Sequence, residues 1–428
     1  MLEIIKILLV FPTFFLFLLF PINTFHKKNY VVGFDLYSLN LMINLNILLL
    51  CSLLPIPIHE YQILFLFFYV IMLVYKIYKK NFDNLFFDKH TFFIFFISFI
   101  IIATAVAANL EFGWDAKFFY YTKTLFFFEG IDISEIKNFK NYFWHPHFGS
   151  YVWAFFWKLP FISAEYFGRL FYVFIFCFSI LNILFSCIKK YNFRLFIFLS
   201  TLILIYRYEL FSGLQEILIF SLLVISSKLI SDLKLDKNNI NIFILLLIMN
   251  ILLWTKSEGL VFLIILMFIL ILNNKISLKK KYIIFFVSIV LISFKKIIYV
   301  YLNFDHVAQS FYNLDFLLTL NLDEVLSRIK YILIYLSYYS ITNTFFIMGT
   351  IILIYLNFKK NKIIDIKNFN YYFLLNLGFI FSAYIFREME IVYAIRTTLD
   401  RIIFTSSGFY LYLVFKFLDQ NINNLSNK

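Results

Sequence analysis

Charged side chains are scarce in this sequence, and the most informative ones fall at the ends of apolar runs, where a charge is costly unless it has work to do. Asp115 stands just beyond one such run, in Glu111-Phe112-Gly113-Trp114-Asp115-Ala116-Lys117. A carboxylate at a membrane surface has the chemistry to take a proton from a sugar or lipid hydroxyl. Read alone, Asp115 fits a solvated loop acid better, and Glu111 is of the same kind. Lys256 and Glu258 lie in Trp254-Thr255-Lys256-Ser257-Glu258-Gly259, a tight turn between two apolar runs. They either face a cavity or simply meet water at a hairpin.

Arg401 follows Asp400 and heads straight into an apolar run. Its guanidinium suits two parallel hydrogen bonds to a phosphate, or snorkelling at the interface. Arg169 offers the same choice and has Glu165 one helical turn before it as a partner. Arg207, Glu209 and Glu216 flank another turn, where they line the same cavity or end two helices. His145 and His147 bracket Pro146; with no third ligand at a fixed spacing they favour packing or substrate contact over a metal site. Lys295 and Lys296 sit near the end of a span, placed to snorkel toward lipid phosphate. No Gly-rich phosphate loop, nucleophile elbow, zinc-helix motif or cysteine pair occurs, which argues against cytosolic nucleotide chemistry.

The elements that must hold these residues are membrane helices. Hydrophobic residues make up 62% of the chain, charged residues 15%, and mean hydropathy is +0.85. A soluble domain is about half apolar and a quarter charged. The fold expected is an all-α polytopic bundle of about 13 transmembrane helices, at roughly 20 apolar residues each. The first stretch counts as a span and not a signal peptide, because Glu3 and Lys6 make a poor basic start and no small-residue cleavage site follows. The segment 328–357 reads as a surface helix followed by a span. The net charge of +13 collects in short loops, so it points to membrane orientation and not to nucleic acid. With Lys27-Lys28, Lys76-Lys79-Lys80, Lys189-Lys190, Lys279-Lys280-Lys281 and Lys359-Lys360-Lys362 inside, most acidic residues fall outside. The longest outer loop, 110–162, carries the aromatic stretch Tyr151–Trp157, expected as a helix lying at the interface. Cys51, Cys177 and Cys187 fall in apolar runs as packing residues. The 62 phenylalanines read as composition bias with little functional content.

The order of these features resembles the multi-span C-type glycosyltransferases, most of all the protein O-mannosyltransferase and aminoarabinose transferase group. The stretches that carry the resemblance are Trp114-Asp115-Ala116, Trp144-His145-Pro146-His147-Phe148, Ser163-Ala164-Glu165 through Arg169-Leu170, Thr255-Lys256-Ser257-Glu258-Gly259 and Leu399-Asp400-Arg401. Each is weak alone; their order is the more specific signal. Many relatives have an acidic pair where this chain has Asp115-Ala116, and two prolines where it has Pro146-His147. Three extra spans precede the matching region, and no C-terminal outer domain is expected. The resemblance divides the chain into additional spans at 1–90, a catalytic membrane region at 91–418 and a short cytoplasmic tail at 419–428.

The resemblance implies transfer of a sugar from a polyprenyl-phosphate donor to a glycan, lipid or protein acceptor, on the outer face of the plasma membrane. Asp115 would be the catalytic base, and Arg401, Lys256 and Arg169 would hold the donor phosphate. Glu111, His145, His147, Glu216, Glu258 and Asp400 would line the substrate cavity. No cofactor is indicated, a divalent metal included. The partners would be the lipid donor, its acceptor and membrane lipid, with no nucleic acid. The competing reading is a transporter or flippase for a lipid-linked or anionic solute, which tends to place its charges near the midplane of the membrane. A third, a polysaccharide polymerase or ligase, typically carries a larger late outer loop rich in arginine.

Overall fold

The computed structural model describes residues 2–21, 34–78, 89–109, 111–136, 145–159, 162–188, 191–234, 239–304, 321–359 and 366–426. Among the described residues there are helices and no strand. In a hydrocarbon solvent every backbone N–H and C=O must find a partner inside its own segment, which leaves helices as the spanning element for such a sequence. In chain order they are α1 Leu2–Leu19, α2 Phe34–Ser52, α3 Ile58–Tyr78, α4 Lys89–Ala108, α5 Tyr121–Glu129, α6 Ile133–Ile136, α7 Phe148–Trp157, α8 Tyr166–Cys187, α9 Tyr191–Ile205, α10 Glu216–Ser231, α11 Asn239–Thr255 and α12 Ser257–Leu272. They continue with α13 Leu278–Tyr301, α14 Leu322–Thr342, α15 Thr344–Phe358, α16 Lys367–Ile385 and α17 Ile391–Ser426.

Six of these, α2, α3, α4, α8, α13 and α17, are long and apolar enough to cross a bilayer. The pair α14 and α15, bent by 103°, makes a seventh if taken as one span. This is the architecture of an integral, multi-pass membrane protein. The count by length is lower than thirteen in part because α9, α11 and α12 run only 15, 17 and 16 residues, short of the roughly 20 needed for a straight crossing. α8 is buried along nearly all its length, whereas α13 and α3 turn long apolar faces outward.

Two devices hold the bundle. Phenylalanine replaces the small residues that often join membrane helices. Phe11, Phe14 and Phe17 of α1 meet Phe99 of α4, Phe156 of α7 and Phe171 and Phe174 of α8 at centroid distances of 5.0–6.1 Å, mostly edge to face. Buried amides supply the second device. The last carbonyls of α1 lack intrahelical partners, and α2 supplies them. Asn40 donates to the Leu18 carbonyl at 2.8 Å, and Asn44 to those of Phe17 and Phe20 at 2.9 and 2.8 Å. α10 and α17 pack closely at Gly408, where any Cβ would meet the Phe220 carbonyl at 2.5 Å. Phe220 and Phe404 stack beside it, 4.9 Å apart.

The aromatic stretch of the long loop is helical, as α7, but it does not lie at a lipid surface. Phe148 to Phe156 are all buried, and the Trp153 indole N–H donates to the Glu165 carbonyl at 3.0 Å. An aromatic-rich surface suits protein as well as lipid, and here α5, α8 and α11 cover it.

Candidate functional site

The segment that follows α4, the start of α10, the α11–α12 turn and the third turn of α17 meet at one end of the bundle, and each brings a charge. The chain leaves α4 at Ala108 and is pinned by the Gly113 N–H, which donates to the Ser212 carbonyl at 3.0 Å. It then enters one wide π turn, Ala116–Tyr120, with Asp115 at its head. π turns are uncommon and frequently sit at functional sites. This one is braced by Thr124 and Ser150, whose hydroxyls donate to the Tyr120 carbonyl at 2.8 and 2.9 Å.

Asp115 Oδ2 accepts from Arg401 Nη1. The same nitrogen lies 3.3 Å from Glu216 Oε1, and Nη2 donates to the Thr397 carbonyl at 2.9 Å, one turn back on α17. Glu216 is the first residue of α10, where the positive end of the helix dipole favours a carboxylate. Its Oε1 also accepts from Lys256 Nζ at 2.7 Å, and Lys256 lies 3.1 Å from Glu258 Oε1. The α11–α12 turn that carries Lys256 closes on Gly259, where a Cβ would strike the Leu252 carbonyl. Burial works against the Lys256 ammonium, but Glu216 and Glu258 outweigh it and hold its pKa above the ordinary value. The Tyr120 phenol, buried in the field of the same groups, is pushed well up by burial and stays protonated. Asp115, Glu216, Glu258, Lys256 and Arg401 thus form one ionic cluster, with three carboxylates to two cations.

The remaining expected site residues lie around the cluster or away from it. Arg169 binds Glu165 through Nε at 3.0 Å and Nη2 at 2.8 Å. Its Nη1 reaches the Asn109 and Phe211 carbonyls at 3.4 Å, so it ties the ends of α4 and of the turn before α10 together. Asp400 turns away from Arg401. It takes Arg207 at 3.0 Å and the Asn343 amide at 2.7 Å, joining α17 to the bend between α14 and α15. Glu111 is exposed at the rim. The His145 ring lies 4.8 Å from that of Phe119, and burial with Lys123 and Lys256 nearby lowers its pKa to about 3. His147 is fully buried, bonded to the Ser52 hydroxyl at 2.9 Å and set edge-on to Trp254; burial first, then Lys123 and Lys295, lower it to about 3 as well. Both imidazoles are neutral at ordinary pH. Among the described residues no three metal-ligating side chains gather.

Three groups escaped the sequence reading or took another role. Lys123, buried in α5, donates to the His145 carbonyl at 2.5 Å, and burial lowers its pKa to about 7. Its only signal in sequence was a lysine among aromatics. Lys295 does not reach outward; it donates to the Leu253 carbonyl at 2.7 Å and lies over Trp254 and Tyr299, capping α11. A second polar network, far along α10, joins Lys228 to Asp35 at 2.5 Å and to Asn182 at 2.8 Å, with Asn182 donating to Ser38 at 2.7 Å. No protein-family model matches the chain, and neither a curated protein nor a solved structure is significantly similar to it.

Proposed function

We propose that the chain is a membrane glycosyltransferase that moves a sugar from polyprenyl phosphate to an acceptor hydroxyl at the outer face of the membrane. The observation that carries this reading is the ionic cluster of Asp115, Glu216, Lys256, Glu258 and Arg401, drawn from four separate segments to one end of the bundle. A structural ion pair needs two partners; a relay of five, with Glu216 and Lys256 buried and Asp115, Glu258 and Arg401 part-exposed, fits a site that handles charge. In this reading about thirteen helices cross the bilayer, and the cluster faces outward.

The donor is a phosphodiester with one negative charge. Its phosphate competes with Asp115 for Arg401 and draws on Lys256. Asp115, released, takes the proton of the acceptor hydroxyl as that oxygen bonds to the anomeric carbon. The bond from that carbon to the phosphate oxygen breaks, and polyprenyl phosphate leaves with a second negative charge. Proton uptake removes one negative charge from the cluster just as the departing phosphate gains one, and the two cations stabilise the developing charge. Arg169 acts from a distance by fixing the loops that carry Asp115 and Glu216.

The test is to incubate purified protein in lipid with polyprenyl-phosphate hexoses and pentoses and follow loss of sugar from the lipid. Release that needs an acceptor hydroxyl supports the reading. Transbilayer movement of intact donor, with no sugar released, replaces it with the transport reading.

A further inference from the structure

The ionic cluster is not satisfied from within. Glu216 Oε1 carries both Lys256 and Arg401, while Glu216 Oε2 is buried with no hydrogen-bond partner. Glu258 repeats the pattern: Oε1 faces Lys256 at 3.1 Å and Oε2 is buried without a partner. The Glu216 side chain is only 2% exposed, so bulk water does not reach it. Buried acceptors are almost always bonded, and an exception calls for a missing donor. The two carboxylates that carry these oxygens share one ammonium, in a cluster whose ionised groups sum to −1.

Resting on the glycosyltransferase reading, we infer that Glu216 and Glu258 hold the transferred sugar by its hydroxyls, and that they select a neutral polyhydroxylated sugar against an acidic one. A hydroxyl donates to a carboxylate oxygen, so two hydroxyls satisfy two orphan acceptors. A sugar carboxylate has no proton to give there and meets three like charges, and like-charge juxtaposition is strongly unfavourable. The phosphate end of the donor and its sugar end are thus read by different atoms of the same cluster. Arg401 and Lys256 take the anion, and the unbonded carboxylate oxygens take the donors. Glu258 is the better handle for a test, because its side chain is a quarter exposed and Lys256 keeps Glu216 when it changes.

The experiment measures binding of polyprenyl-phosphate glucose and polyprenyl-phosphate glucuronate to the full chain in nanodiscs, by native mass spectrometry, with no acceptor present. The glucosyl lipid is expected to bind at least about tenfold more tightly in the wild type. Glu258→Gln removes one charge and keeps an acceptor oxygen, so it should narrow that gap several-fold, mainly by admitting the glucuronosyl lipid. Equal binding of the two lipids to the wild type overturns the inference and leaves the glycosyltransferase reading standing. An undiminished gap in Glu258→Gln overturns the role of Glu258. Loss of glucosyl-lipid binding on chelation would mean that a divalent cation, not hydroxyls, fills the two oxygens. Binding of neither lipid overturns this inference, and the glycosyltransferase reading falls with it when no polyprenyl-phosphate hexose or pentose binds.

Discussion

Lys256→Met tests how far the cluster depends on its central cation. The ammonium bonds Glu216 at 2.7 Å and Glu258 at 3.1 Å, and methionine keeps the length of the stem while removing the charge. Stripping one partner from a buried pair costs about 3–5 kcal/mol, because the remaining charge is left desolvated. Two features put this site at the lower end, about 3 kcal/mol. Glu216 retains Arg401 at 3.3 Å, and Glu258 is a quarter exposed and rehydrates. Adding Glu216→Gln removes the stranded charge, so the double variant should recover a good part of the loss. A double-mutant cycle then gives a coupling of about 2 kcal/mol, within the range for residues in one network. Equilibrium unfolding in mixed micelles, read by circular dichroism, measures all four proteins. A single Lys256→Met variant within about 0.5 kcal/mol of wild type would show that water already screens Glu216, and the burial argument would fall.

Further outcomes follow from the same geometry. Asp115→Asn keeps shape but accepts no proton, so transfer should slow by about a hundred- to ten-thousandfold; near-normal turnover removes Asp115 as base. Arg401→Lys keeps charge but not the fork, and apparent donor affinity should weaken by about 1–3 kcal/mol; unchanged affinity refutes the phosphate role. Because the imidazole of His147 titrates near pH 6.5 when unfolded and near pH 3 when folded, the native state takes up its proton last. Stability from this group is whole above pH 6.5 and drains as pH falls toward 3. His147→Gln should flatten the melting temperature over that window, and an equally steep profile in the variant rules His147 out. Cysteines placed at the exposed positions Lys117 and Thr397 should both react with an impermeant reagent from outside; reaction at one alone breaks the shared-face topology.

Much of this was legible in sequence because lipid enforces a simple rule: apolar runs become helices and charges gather where they end. That rule singled out Asp115, Glu216, Lys256, Glu258 and Arg401, and the structure brings the five together. It failed to separate Asp400 from Arg401. Neighbours on a helix point about 100° apart, so one enters the cluster while the other meets Arg207 and Asn343. For Arg169 the pairing with Glu165 one turn away was legible, whereas its contact with the Asn109 carbonyl, 60 residues off, leaves no local trace. α7 was misplaced for a different reason: lipid and protein accept the same aromatic side chains, so composition does not say which one covers them. The bond between Lys228 and Asp35 spans 193 positions and had no signal at all.

One helix carries both polar networks. Glu216 begins α10 and Lys228 lies twelve residues on, about 18 Å along its axis. The contact of Phe220 with Gly408 keys this rod to α17 between them, about one turn from Glu216 and two from Lys228. A shaft keyed partway along and loaded at both ends does not slide or rotate at one end alone. The grip of Lys256 and Arg401 on Glu216 and that of Lys228 on Asp35 thus anchor the two ends of one rigid element.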